Sequence, residues 1–124
     1  MAATPTEISR VDGGNWLVAV HGQLTYGTST AFERALRQIS EDRPAGVAID
    51  LAEVWFMDSS GVKALLSARK RLAAVGARLA LLRPHQMPLS LLQRMQLDRF
   101  LEVAGSLEEA FPSRRDPASV REGT

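Results

Sequence analysis

The sequence predicts an α/β fold: one mixed β-sheet opened by an antiparallel hairpin, continued by parallel strand-helix-strand units, with about four helices. Three observations predict it. Two short strand-like runs, Glu7–Val11 and Trp16–His21, flank Asp12-Gly13-Gly14-Asn15, residues that tolerate the positive φ of a tight hairpin. Beyond them, compact apolar runs alternate with segments whose apolar residues recur at helical spacing. Two successive strand-helix-strand units then require parallel strands joined by right-handed crossovers.

The elements follow in order. Thr30-Ala31-Phe32-Glu33 has capping-box spacing, and Phe32, Ala35, Leu36 and Ile39 recur at i, i+3, i+4 and i+7, which predicts an amphipathic helix over about 29–41. Pro44 and Gly46 interrupt the pattern, and Val47–Leu51 reads as a central strand buried on both faces. A second helix starts at Ser59-Ser60 and carries Val62, Leu65, Leu66 and Leu72, with Gly76 placed to end it in a left-handed conformation. Arg78–Arg83 is the next strand, stopped by Pro84, which lacks the N–H that a sheet ladder needs. Pro88 suits a first helical turn, and Leu89, Leu92, Met95 and Gln96 are expected along one side of a third helix. Phe100–Val103 reads as a short edge strand, and Ser106-Leu107-Glu108-Glu109 caps a brief last helix holding Ala110 and Phe111. One folded domain is expected over 1–111. Residues 112–124 are rich in Ser, Arg, Asp, Pro, Glu and Gly, with Val120 the sole sizeable apolar side chain, and are expected to form a disordered tail.

Composition narrows the function classes. The 124 residues suit a single core, and 15 Lys plus Arg against 14 Asp plus Glu leave a net charge of +1, a poor match to nucleic-acid or membrane binding through charge. The absence of Cys removes disulfides, thiolate metal sites and a Cys nucleophile. His21 and His85 have neither ligand spacing nor an acidic cluster beside them, so no metal and no cofactor are expected. Met1–Glu7 lacks the basic and apolar regions of a leader, and no run approaches the ~18 apolar residues of a membrane span, so a cytoplasmic protein is expected.

The chemistry concentrates in Val54-Trp55-Phe56-Met57-Asp58-Ser59-Ser60-Gly61-Val62, between a buried strand and an amphipathic helix. In open α/β sheets the crevice lies beyond the carboxyl ends of the strands, and a helix N-terminus offers unpaired N–H groups and a positive dipole end to a bound or covalent phosphate. The segment Phe56-Met57-Asp58-Ser59-Ser60-Gly61 resembles, residue for residue, the signature of the STAS domains of bacterial anti-sigma-factor antagonists. The predicted element order from about Glu7 to Phe111 is also similar to theirs.

That resemblance implies a STAS-like single domain that is a regulatory protein-binding module rather than an enzyme, with no catalytic residues. It implies Ser59 as the phosphoacceptor, with Asp58, Ser60, Gly61, Gln23, Thr25, Met57 and Lys63 around it in the phosphosite or the partner-binding surface. The implied partners are an anti-sigma factor with serine-kinase activity and a phosphoserine phosphatase. The unmodified antagonist occupies the anti-sigma factor and so frees a sigma factor; the phosphorylated form does not dock. One departure stands out: the family commonly carries Gly-Glu-Leu-Asp after the second strand, whereas this chain has Gly22-Gln23-Leu24-Thr25, without either acid. The alternative is a STAS scaffold or a subunit of a stress-signalling or transport complex in which Ser59 is never modified.

Plainer structural roles compete at each position. Asp58 and Ser59 also fit an N-cap and turn, and a cap can be modified as well. Gly61 either admits a partner closely or simply loosens the first turn. Trp55, Phe56 and Met57 form either an exposed edge or core, where alternation would bury two of the three. Trp16 suits core or cross-strand packing. The basic run Arg69-Lys70-Arg71, following Lys63 on the same helix, is either a solvated face or a contact for an acidic partner. A serine hydrolase lacks support, since no Gly-x-Ser-x-Gly elbow is present, and neither phosphate-loop nor dinucleotide motifs occur.

Overall fold

The computed structural model describes residues 6–112, so the expected tail lies, apart from Pro112, outside the described residues. Strand β1 (Thr6–Val11) pairs antiparallel with β2 (Asn15–Leu24), Thr6 opposite Val20 and Val11 opposite Asn15. The turn rests on Gly13 and Gly14, with φ of +83° and +78°, a region that costs a side-chain-bearing residue about 1–2 kcal/mol. The chain continues through α1 (Ser29–Glu41), β3 (Gly46–Met57), α2 (Ser59–Ala74), β4 (Arg78–Leu82), α3 (Gln86–Arg94), β5 (Glu102–Ala104) and α4 (Leu107–Ala110). The strands lie in sequence order across one sheet, and every pair after the first is parallel.

Alternation along the strands divides the sheet into two faces. Val18, Val20, Val47, Ile49 and Leu81 point to one side, where they meet Phe32, Leu36 and Ile39 of α1 and Val62, Leu65 and Leu72 of α2. Leu92 of α3 and the buried Leu101 complete this larger core. On the other side Ala48, Ala80, Leu82 and Ala104 are covered by Ala110 of the short α4, helped by Leu17, Leu107 and Phe111. Small residues on that face let α4 lie close to the sheet.

Three expectations are corrected. Helix α1 begins at Ser29 after an N-cap at Thr28, so Thr30 is already helical and the Thr30–Glu33 capping box is not formed. Strand β3 runs on to Met57, far past Leu51, because its pairing with β2 shifts between Ala19 and His21 and again between Gly22 and Gln23. Each shift gives β3 one extra residue, and such bulges break the alternation by which a strand is recognised. At the far edge, Phe100 and Leu101 hydrogen-bond back to Leu97 in a turn, so β5 starts at Glu102 rather than Phe100.

The helix ends explain a further difference. Helices α1, α2 and α3 are each followed by a left-handed residue, Arg43 (φ +50°), Gly76 (φ +76°) and Gln96 (φ +59°). After α2 the N–H of Ala77 reaches Leu72 O and that of Gly76 reaches Ala73 O; after α3 the N–H of Leu97 reaches Leu92 O and that of Gln96 reaches Gln93 O. Both are Schellman closures. Met95 and Gln96 therefore end α3 as exposed residues and do not extend its apolar side; Leu92 alone of the four expected residues is fully buried.

Ile49, fully buried in the central strand, is expected to be a main determinant of stability. Ile49→Ala should cost about 2–5 kcal/mol, whereas Ile8→Ala on the exposed edge strand should cost under ~1 kcal/mol, as read from urea unfolding midpoints.

Candidate functional site

The site lies at the carboxyl ends of β2 and β3, where both strands hand the chain to helices. Leu24 pairs with Met57 as the last register of the two strands, and both side chains are buried. From there the chain turns through Asp58 into α2. Asp58 is extended (φ −111°, ψ −172°) and is the N-cap: its Oδ1 accepts from the Gly61 N–H at 3.1 Å. Its Oδ2 faces the other way and accepts from the Tyr26 N–H at 3.3 Å. One carboxylate thus joins the start of α2 to the β2–α1 loop.

Gly61 supplies the reason that the join is so close. A methyl group at position 61 would run into the Leu24 carbonyl oxygen and lie 2.6 Å from Met57 Cγ. The first turn of α2 therefore rests directly on the backbone at the end of β2, and neither reading offered by the sequence holds: Gly61 is not loose, and its contact is internal. Being buried, Gly61 and Met57 offer no surface for docking and support the loop from beneath.

The remaining site residues sit on or near the surface. Ser59, first residue of α2, is exposed; Ser60 is half-buried. Lys63, one turn on and four residues from Ser59, is exposed on the same helix face. Thr25 and Gln23 are half-buried, and both are tied to Thr28. Thr28 Oγ1 accepts from the Thr25 N–H and donates to the Gln23 carbonyl, each at 2.9 Å, while the Thr25 and Thr28 hydroxyl oxygens are 3.5 Å apart. The Thr25 backbone is therefore tied into its own loop, and the position holds an uncharged hydroxyl.

Trp55 and Phe56 are both exposed, at 60% and 41%, so one rather than two of the Trp55-Phe56-Met57 triplet is buried. The second bulge explains it: Gly22 pairs with Val54 and Gln23 with Phe56, leaving Trp55 as the extra residue, so that Val54 and Met57 face inward while Trp55 and Phe56 both stay outside. Tyr26, 83% exposed, completes an aromatic rim on the two segments that meet at Asp58. Sequence reasoning passed over Tyr26 and Thr28; the polar cluster Thr25-Tyr26-Gly27-Thr28 before an amphipathic helix was the available signal. Trp16 lies in the hairpin with the Arg10 guanidinium 4.6 Å from its ring centre, a cross-strand stack remote from Ser59 in sequence. Among the described residues no group of three or more His, Cys, Asp or Glu could hold a metal ion, and no helix is long and apolar enough to cross a membrane.

A family model, the STAS domain, matches residues 8–110, and the chain belongs to that family. The structure is similar to an anti-sigma factor antagonist from Mycobacterium paratuberculosis, with a TM-score of 0.78 and 24% identity, covering 87% of this chain and 91% of that one. It is similar to the anti-sigma factor antagonist SpoIIAA in its unphosphorylated form (TM-score 0.72, 21% identity, 84% and 91% covered). The Bacillus cell fate determinant SpoIIAA in its phosphorylated form matches at 0.67 and 22%, with 84% and 95% covered. The chain also matches part of SLC26A9, at 0.68 and 16%, covering 78% of this chain and 19% of that one. No curated protein matches the sequence. At these identities the structural likeness establishes the fold.

Three substitutions test the architecture of the site. Asp58→Ala removes a cap and should lower stability by about 1–2 kcal/mol, with Asp58→Asn recovering most of it, because an amide oxygen can still accept from Gly61. Gly61→Ala should cost more than Asp58→Ala, since the added methyl meets backbone that cannot rotate away. Urea unfolding of the three variants beside the parent protein gives the order.

Proposed function

We propose that this protein is an anti-sigma-factor antagonist, a cytoplasmic partner-binding switch set by phosphorylation of Ser59. The observation that carries the proposal is the exposed Ser59 hydroxyl at the first position of α2, beside a carboxylate already committed to two backbone amides. Asp58 is thereby held in place without covering Ser59. The family membership of the chain and the kind of protein found among its structural neighbours support the same reading.

The mechanism is one of docking rather than catalysis. In the unmodified state Ser59 presents a small neutral hydroxyl, and Trp55, Phe56 and Tyr26 offer apolar area of the kind that anchors interfaces. Phosphorylation adds about −1.5 to −2 charge at that point. A partner surface that fits the hydroxyl must then desolvate a dianion next to Asp58, and a penalty of only about 1.4 kcal/mol already weakens binding tenfold. An anti-sigma factor with serine-kinase activity and a phosphatase that restores the hydroxyl complete the cycle.

Thr25 favours a second reading. The position that is acidic in the family here bears a hydroxyl engaged with Thr28, which removes one negative charge from the neighbourhood of Ser59. A STAS subunit of a larger assembly, with Ser59 permanently unmodified, fits that feature.

Intact mass of the protein from its native cells, with fragmentation to place any phosphate, separates the two. The switch predicts a phosphate on Ser59 that disappears in Ser59→Ala, together with a kinase-type partner that binds the unmodified protein at least about tenfold more tightly than the modified one. A chain without phosphate on Ser59 under every growth condition would leave the constitutive subunit as the function.

A further inference from the structure

The basic run of α2 is not absorbed by the site at Ser59. Helices α1 and α2 both start at the carboxyl edge of the sheet and run side by side, and an open groove lies between their last turns, with a cavity volume of about 570 Å³. A smaller cavity continues it toward the middle of the helices, sharing Ser67 and Arg71. Its floor includes the buried Leu36, Ala64 and Ala68. Four cations line it: Arg37 and Arg43 from the α1 side, Lys70 and Arg71 from α2. Glu33 and Glu41 also line it, leaving an excess of two positive charges by residue type.

Three features set these cations apart from an ordinary solvated face. Among the described residues, none of the four lies in an ion pair. Of the four, only Arg71 lies within the last turn of its helix, so the helix dipoles do not account for Arg37 or Lys70. Arg43 occupies the left-handed position that closes α1, at φ +50°, where glycine or asparagine is the residue without a steric penalty. Its N–H bonds to Ser40 O, and Pro44 behind it has no N–H to strengthen the closure, so the backbone gains nothing from an arginine.

We propose that this groove is a second docking surface of the protein, for an acidic segment of a partner protein: a peptide whose carboxylates pair with Arg37, Arg43, Lys70 and Arg71 while its apolar side rests on the accessible Ala74 and Val75. The groove is separate from the phosphorylation site. Lys70 follows Ser59 by eleven residues of helix, about 16 Å along its axis, so contacts there are independent of the charge on Ser59. A partner held at the groove remains tethered whatever the state of Ser59.

The test uses a fluorescein-labelled 12-residue peptide of alternating Glu and Leu pairs, titrated into the full chain at low salt, with amide shifts mapped by NMR. The expected result is saturable binding that shifts the amides of Ser40–Arg43 and Ser67–Val75 and weakens at least about tenfold in the pair Lys70→Glu and Arg71→Glu. Arg34→Glu, a single charge reversal on α1 outside the groove lining, should leave binding within about twofold, while Lys70→Glu alone should weaken it. Arg43→Gly should weaken binding while keeping or raising the melting temperature, which separates a ligand contact from a structural role. Equal loss in Arg34→Glu, or shifts centred on Asp58–Lys63, would overturn the proposal. So would tighter binding of a labelled oligonucleotide than of the peptide at the same residues.

Discussion

The structure turns on one close approach: the first turn of α2 against the last carbonyl of β2. Because Gly61 has no side chain, the helix start rests on Leu24, and the Asp58 N–H reaches the same carbonyl at 3.4 Å. That contact sets where Asp58 points, and Asp58 in turn fixes both the first amides of α2 and the loop at Tyr26. The exposed position of Ser59 is a consequence. With position 61 filled, α2 would have to lift off the sheet edge, and the buried Val62 and Leu65 one turn on would lose part of their packing against the strands.

The sheet makes that approach possible through its bulges. A regular β3 would send Trp55 to one face and Phe56 to the other. The extra residue instead keeps Val54 and Met57 in the core while both aromatics stay outside. It also brings Met57 level with Leu24, so that β2 and β3 end together and their two helices begin side by side. Asp50 marks the first irregularity: its Oδ1 accepts from the Ala52 N–H, and its Oδ2 binds Arg83 at 2.7 Å across the end of β4. Polar groups thus occupy the places where ladder pairing lapses.

Much of this was legible in the sequence because local physics and the final fold agree. The hairpin glycines, the 29–41 helix, the helix start at the Ser pair and the stop at Gly76 all follow from backbone freedom and apolar period. What was not legible depends on partners distant in the chain. Bulges in β3 are set by the register with β2, so the strand past Leu51 looked irregular. The cap of α1 moved to Thr28 because that side chain is used by Thr25 and Gln23 of the preceding strand end. The role of Gly61 required knowing that Leu24 lies beneath it. Left-handed Arg43 and Gln96 carry no glycine signal at all, and the exposure of Met95 follows from the second of them.

The geometry also constrains how a charge on Ser59 can act. A phosphate at the first residue of α2 meets the positive end of the helix dipole, worth about 0.3–1 kcal/mol at an exposed position. It also meets Asp58, whose repulsion in high dielectric is about 1 kcal/mol per unit of phosphate charge at 4 Å and falls with distance and salt. These opposing terms are of similar size, and among the described residues the exposed Ser59 side chain has no hydrogen bond whose loss would disturb the core. On the proposed switch, modification would therefore leave the fold almost unchanged in stability, and its signal would be read outside the domain. An incoming partner removes the water that screens the two charges, so the terms that cancel in solution no longer cancel at an interface. The close join of β2, Asp58 and α2 matters for the same reason: with Gly61 seated on Leu24 and Asp58 held by two amides, little room is left for the site to move away from an added charge, and an incoming partner would bear its cost.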